Sequence, residues 1–132
     1  MRFYFDLKRG EDMFVVDPNT KTITMYRGDT GELTITATGY TFGIDDRALF
    51  TVKNKAGAEI IRTEYEMTNN AFTVEFTNSD TDTCAPDTYE WDVRYVVNPT
   101  YDQTTGQIID GDDVITPGGP YMLKLLKTVG QI

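Results

Sequence analysis

Apolar and polar residues alternate one by one along most of this chain, and no window carries a convincing helical stripe. Side chains of an extended strand point to opposite faces in turn, so this pattern predicts half-buried β-strands. Ile23 and Met25 alternate with Thr22 and Thr24. Leu33, Ile35 and Ala37 alternate with Thr34, Thr36 and Thr38. Ala48, Phe50 and Val52 alternate with Leu49, Thr51 and Lys53, and Glu59 to Tyr65 is a weaker strand. Phe72, Val74 and Phe76 alternate with Thr73, Glu75 and Thr77. In the longest run, Tyr89, Trp91, Val93, Tyr95 and Val97 share one face, and Glu90, Asp92 and Arg94 the other. Tyr121, Leu123 and Leu125 close the series. The abundant Thr, Tyr, Phe, Val and Ile suit a pleated surface.

Turn signals separate these runs: Arg27–Gly31, Gly39–Asp46, Asn54–Gly57, and a Gly/Pro-rich stretch from Asn98 to Pro120 with short apolar segments at Ile108-Ile109 and Val114-Ile115. Strands punctuated roughly every 8 to 14 residues predict an antiparallel sandwich or barrel. The expected core is Ile23, Met25, Leu33, Ile35, Phe50, Val52, Phe72, Val74, Phe76, Trp91, Val93, Leu123 and Leu125. Burial of each large side chain is worth roughly 1.5–3 kcal/mol. In the first twenty residues Phe3, Phe5 and Leu7 alternate, Lys8–Asp12 is polar and Met13–Val16 apolar. This reads as an N-terminal arm or hairpin (1–20) lying beside the sandwich (21–132) or on a neighbouring subunit.

At 132 residues the chain fits one domain. Twelve Lys and Arg face 21 Asp and Glu, a net charge of −9. Such a surface repels phosphate backbones and anionic headgroups, which argues against nucleic acid or membrane as partner. There is no histidine and one cysteine, Cys84. The first fact removes the commonest general base and most catalytic zinc sites, the second any intrachain disulfide. Neighbouring Asp80, Asp82 and Asp87 are expected to raise the Cys84 pKa and blunt its reactivity. No signal peptide and no membrane-spanning stretch is legible.

The remaining motifs have plain readings. Asn78-x-Asp80-x-Asp82 opens like a calcium loop, but Thr83 stands where glycine is required and Tyr89 where the closing glutamate belongs. Asp110-Gly111-Asp112-Asp113 is a second acidic turn. Arg27-Gly28-Asp29 matches an adhesion tripeptide yet sits where a tight turn is needed. Asp45-Asp46, or Glu75 with Glu90 and Asp92, could supply carboxylate pairs, but adjacent strand residues point apart and outward charges mostly serve solvation. No catalytic residue, cofactor or metal ligand is assigned.

Asp87-x-Tyr89, followed by Trp91, is similar to the start of the sixth strand in immunoglobulin-like sandwiches, where a tyrosine hydroxyl bonds back to the backbone. A wider set of pieces occurs in order: Tyr26–Gly31, Asp46–Lys53, Phe72–Phe76, Tyr89–Val97, Pro99–Asp102, Gly106, Asp110-Gly111, Thr116-Pro117 and Val129–Ile132. Over about Thr22 to Ile132 the chain resembles the small immunoglobulin-like domains of phage and prophage tail or baseplate proteins, similar to the N-terminal domain of baseplate upper proteins. Met1–Thr20 has no counterpart there. A full-length baseplate protein continues further, so an end at Ile132 fits a free-standing, tail-associated protein. The resemblance implies an all-β, immunoglobulin-like antiparallel β-sandwich of about seven to nine strands. It implies a non-catalytic, virion-located role in assembly, with other tail or baseplate proteins and copies of itself as partners. The alternative is a carbohydrate-binding module for host attachment, which would need Tyr40, Tyr65, Tyr101 and Tyr121 in a flat, solvent-facing strip.

Overall fold

The computed structural model describes residues 4–9 and 14–127. They form an all-β, sandwich-like architecture. The strands are β1 (Tyr4–Arg9), β2 (Phe14–Val16), β3 (Ile23–Tyr26), β4 (Gly31–Thr38), β5 (Arg47–Lys53), β6 (Glu59–Glu66) and β7 (Ala71–Phe76). After the single-turn helix α1 (Asn78–Thr81) come β8 (Asp87–Val97), β9 (Thr100–Tyr101), β10 (Ile108–Asp110), β11 (Asp113–Ile115) and β12 (Tyr121–Leu126). The seven long runs of alternation all become strands. The total exceeds seven to nine because β2, β9, β10 and β11 are pieces of two or three residues.

One sheet is β1-β4-β7. The larger is β2-β3-β12-β8-β5-β6, with β11 added to β8, and β9-β10 is a separate hairpin. The long strand β8 serves two partners along one edge, β12 at Asp87–Trp91 and β11 at Tyr95–Val97. The pairing is not antiparallel throughout: β12 runs parallel to β3, with Leu123 opposite Ile23 and Leu125 opposite Met25. Parallel neighbours need a long crossover between them; here that crossover is nearly the whole sandwich. The stretch expected as an arm or hairpin supplies β1 to the smaller sheet, against β4, and β2 to the larger, against β3. Phe3, Met13 and Val129–Ile132 lie outside the described residues.

All thirteen residues of the expected core are buried. Leu33, Ile35, Phe72, Val74 and Phe76 of the smaller sheet form a single cluster with Ile23, Met25, Phe50, Val52, Trp91, Val93, Leu123 and Leu125 of the larger. Rings cross between the sheets: Phe50 meets Phe76 edge-on at 5.9 Å, and Phe72 meets Tyr95 edge-on at 6.2 Å. Trp91, 1% exposed, packs between Phe50 and Tyr121, and its indole N–H donates to Lys21 O at 3.1 Å. Tyr89 Oη donates to Ala85 O at 2.5 Å, which pins the approach to β8.

Two connections fix the ends of the sandwich. Between β6 and β7, Thr68 and Ala71 exchange backbone hydrogen bonds around Asn69 and Asn70, both in the left-handed region. Asparagine tolerates that region because its short side chain bonds locally. The Asn70 side chain donates to Ala37 O and Tyr40 O and accepts from Phe42 N, so it ties down the whole β4–β5 connection. At Gly111 the chain turns hard against β8. A Cβ there would meet Val96 Cγ1 at 2.5 Å and Val97 O at 2.7 Å, so no larger residue fits without a shift.

Candidate interaction surface

The outward set of the larger sheet includes Leu49, Thr51 and Lys53 of β5, Arg62 and Glu64 of β6, and Glu90, Asp92 and Arg94 of β8. Their alternates point into the core. The β8–β12 connection crosses this face. Its β9–β10 hairpin is held at one residue: Arg62 Nη2 donates to Ile108 O at 2.9 Å, and Ile108 N donates to Glu64 Oε2 at 2.9 Å. Ile108 and Leu49 are thereby buried. Beside them a groove of about 320 Å³ is lined by Thr51, Lys53, Glu59, Arg62, Asp92, Arg94 and Ile109. A second hollow, of about 160 Å³, shares Thr51, Lys53 and Asp92 and ends at Trp91 and Pro120. Burial pushes the Asp92 carboxyl above the ordinary carboxylate range, against the pull of Arg94 and Lys53. The face thus interleaves cations and anions over a partly covered apolar floor.

The residues singled out in the sequence have structural duties. Asn78, Asp80 and Asp82 belong to α1 and its ends. The Asp80 carboxylate accepts from Thr77 N at 2.7 Å as half of a capping box. Asn78 Nδ2 donates to Gly28 O at 2.8 Å, and Gly28 N donates to Thr81 Oγ1 at 2.8 Å. The Arg27-Gly28-Asp29 turn is therefore clamped to α1 at its centre. Gly28 has φ +82°, and a Cβ on it would press on Asn78. Asp46 is buried: its carboxylate accepts from Gly43 N and from Asn98 N, which joins the β4–β5 connection to the end of β8. Asp45 is exposed beside it, so the two carboxyls do not form a pair. Glu75 lies on the outer face of the smaller sheet and Glu90 and Asp92 on that of the larger, so this trio is split across the sandwich. Asp112 accepts from Asn98 Nδ2, and Asp110 from Gly111 N.

Cys84 is partly buried, and its thiol pKa is raised, first by burial and then by Asp82 and Asp80. Asp87, also expected to act on it, instead pairs with Lys55 at 2.9 Å. The tyrosines are not gathered in a strip. Tyr40, Tyr65 and Tyr121 pack against the core, while Tyr101 is exposed on β9.

A third feature lies where β6 ends the larger sheet and β7 the smaller. A slot of about 270 Å³ opens between them, floored by Phe50, Val74 and Phe76 and walled by Ile61, Thr63 and Tyr65. Tyr65 stacks on Phe72 at 5.4 Å, and burial holds its hydroxyl above the ordinary tyrosine range. The sequence marked β6 only as a weak strand. Its position at a border depends on long-range pairing that no local pattern encodes. The Asn70 anchor and the Arg62–Ile108–Glu64 link are likewise contacts between residues far apart in the chain.

Compared with models of known protein families and with curated protein sequences, the chain matches none.

Proposed function

We propose that this chain is an immunoglobulin-like domain that works in the assembly of phage or prophage tails or baseplates, through protein–protein contacts and without catalysis. The observation that carries the fold half of this reading is the strand order. β1-β4-β7 against β3-β12-β8-β5-β6, with a parallel β3–β12 pair, resembles a variable-type immunoglobulin sandwich that lacks both the fourth strand beside β7 and the last strand beyond β6, and this likeness supports the reading. The Tyr89–Ala85 hydrogen bond is similar to the tyrosine corner of such domains and supports the same reading. The ordered sequence pieces from Tyr26–Gly31 to Val129–Ile132 carry the tail and baseplate half.

The surface chemistry supports binding over catalysis. Asp46, Asp80 and Asn78 spend their side chains on backbone groups, and the groove on the larger sheet mixes cations with anions. A net charge of −9 keeps free subunits soluble and favours a less acidic partner patch. The carbohydrate-binding alternative draws no support from the tyrosines, three of which serve the core.

The test is compositional. Tail particles induced from the encoding organism and analysed by mass spectrometry should contain the chain in fixed ratio to a known tail protein. Intact particles that lack it would overturn the reading.

A further inference from the structure

The free border strand β6 has a self-complementary sequence. Its regular part, Ile61–Glu66, lies beyond an irregularity in the β5 pairing that leaves Ile60 without an opposite residue. Ile61, Thr63 and Tyr65 oppose Val52, Phe50 and Ala48 and face the inner side; Arg62 and Glu64 face the outer side. An antiparallel copy of this strand, centred on Thr63, places Thr63 against Thr63. On the inner side Ile61 then meets Tyr65, twice. On the outer side Arg62 meets Glu64, twice. These are the three pair types that stabilise antiparallel neighbours: aromatic with β-branched, threonine with threonine, and opposite charges. A shift by one residue would oppose inner to outer side chains and break all of them.

We infer that β6 is a homodimerisation edge, at which two copies join their larger sheets into one continuous sheet across a two-fold axis at Thr63. The inference deepens the assembly reading above and rests on its self-association. A two-fold interface is self-complementary by construction, which is the property this edge has. The occupant is a second copy rather than a foreign strand because the same five residues, read antiparallel, supply both members of every pair; Arg62 and Glu64 keep their bonds to Ile108 and would meet across the axis with their remaining donors and acceptors. β6 carries an irregularity at Ile60 and charges at Arg62, Glu64 and Glu66, which blunt an edge towards foreign strands, but neither proline nor lysine between Ile61 and Glu66. In the dimer the partner's inner side chains would lie along the mouth of the slot between β6 and β7.

Thr63→Cys in a Cys84→Ser background tests this, at physiological ionic strength, where contacts a few ångströms long persist while longer-range repulsion between the two acidic chains is screened. Directly opposed antiparallel residues have Cα atoms about 4.5–5.5 Å apart, within disulfide reach. Oxidation should give mostly linked dimer, whereas Ala56→Cys, exposed in the β5–β6 turn, should stay monomeric. Adding Arg62→Glu opposes like charges twice and should lower the linked fraction roughly tenfold; Arg62→Ala, which releases Ile108 O in the same way without adding a charge, is its control and should lower it less. Adding Glu64→Arg to that variant should restore it. Linkage at Thr63 no greater than at Ala56, no recovery by the charge swap, or a wild-type chain that sediments as a monomer at every concentration would each overturn the pairing. Those results would leave the tail-particle experiment to decide the assembly reading separately. A chain that links at Thr63 but is absent from tail particles would keep the dimer and remove that role.

Discussion

The Asn70 corner and the β9–β10 hairpin are both loops tied down by side chains that reach backbone groups far away in sequence, yet the two ties differ in worth. Asn70 makes three bonds to the β4–β5 connection, and next to them Phe42 is buried and stacks on Tyr95 at 4.7 Å. If the side chain were removed, two carbonyls and an amide would be left poorly hydrated, and that loss is what makes a bond costly to break. Arg62 and Glu64 hold the hairpin by one residue on an open sheet face, where water can replace either of them. One tie sets the fold; the other sets how firmly a surface feature lies on it.

Substitution separates the two. Asn70→Ala removes three hydrogen bonds of about 1 kcal/mol each and adds roughly 1 kcal/mol of left-handed backbone cost, so urea denaturation should show a loss of about 3–4 kcal/mol. Asn70→Gly keeps the conformation and should lose about 1 kcal/mol less. Equal losses for the two would mean that backbone strain contributes nothing at the corner. Arg62→Ala should cost about 1 kcal/mol or less globally, because the bond is partly solvated. Its larger effect should be local: hydrogen exchange at the Ile108 amide should quicken while that of Phe50 holds. Uniform acceleration across β5 and β8 would show instead that the hairpin is part of the cooperative core.

The same contrast marks how much of the molecule was legible in its sequence. A strict two-residue period names the buried face of a strand wherever one side is covered, so the inward residues from Ile23 to Leu125 could be named from alternation alone. The same period is silent on which strands are neighbours, and the parallel β3–β12 pair carries no local signature. The acidic run Asn78–Asp82 resembled an ion-binding turn because turn caps and calcium loops draw on the same residues. The Thr77–Asp80 capping box and the distant Gly28 account for Asp80 and Asn78. Asn70 carries no local signal, since the carbonyls it binds lie thirty or more residues earlier. Candidate surfaces suffer most: β6 was the weakest strand in the pattern because a border strand is half-buried on both faces.

Tyr95 lies beneath the corner and sharpens the argument about buried polar groups. Its ring is fully buried, and its hydroxyl is a buried polar atom with no hydrogen-bond partner among the described residues. Burial pushes that hydroxyl well above the ordinary tyrosine range, so it stays protonated. An unpaired buried hydroxyl opposes folding, and the ring supplies the packing. Tyr95→Phe should therefore be neutral or stabilising, by less than about 1 kcal/mol. A loss well beyond that on thermal melting would mean that the hydroxyl has a partner, such as a buried water.

The smallest effect concerns two carboxylates of the hairpin side whose protonation works in opposite directions. Asp102, in the β9–β10 turn, accepts from Thr105 N and Thr104 N, and these bonds hold its carboxyl below the ordinary value of 3.8. Its contribution is present above 3.8 and fades as pH falls through the lower folded value. Asp92, in the groove, has its carboxyl raised above 3.8 by burial, more than Arg94 and Lys53 lower it. Its ionised form therefore opposes folding near neutral pH. That cost is relieved as pH falls through the raised folded value, because the native state then binds a proton that the unfolded state binds only at lower pH. Asp92→Asn should accordingly raise the melting temperature slightly at pH 7, and the gain should close as pH falls towards 3.8. Asp102→Asn should change stability in the other sense, with its deficit at pH 7 disappearing below 3.8. If Asp92→Asn lowers stability at pH 7, attraction to Lys53 and Arg94 outweighs burial, and the groove is held together by its ion pairs rather than strained by a half-buried charge.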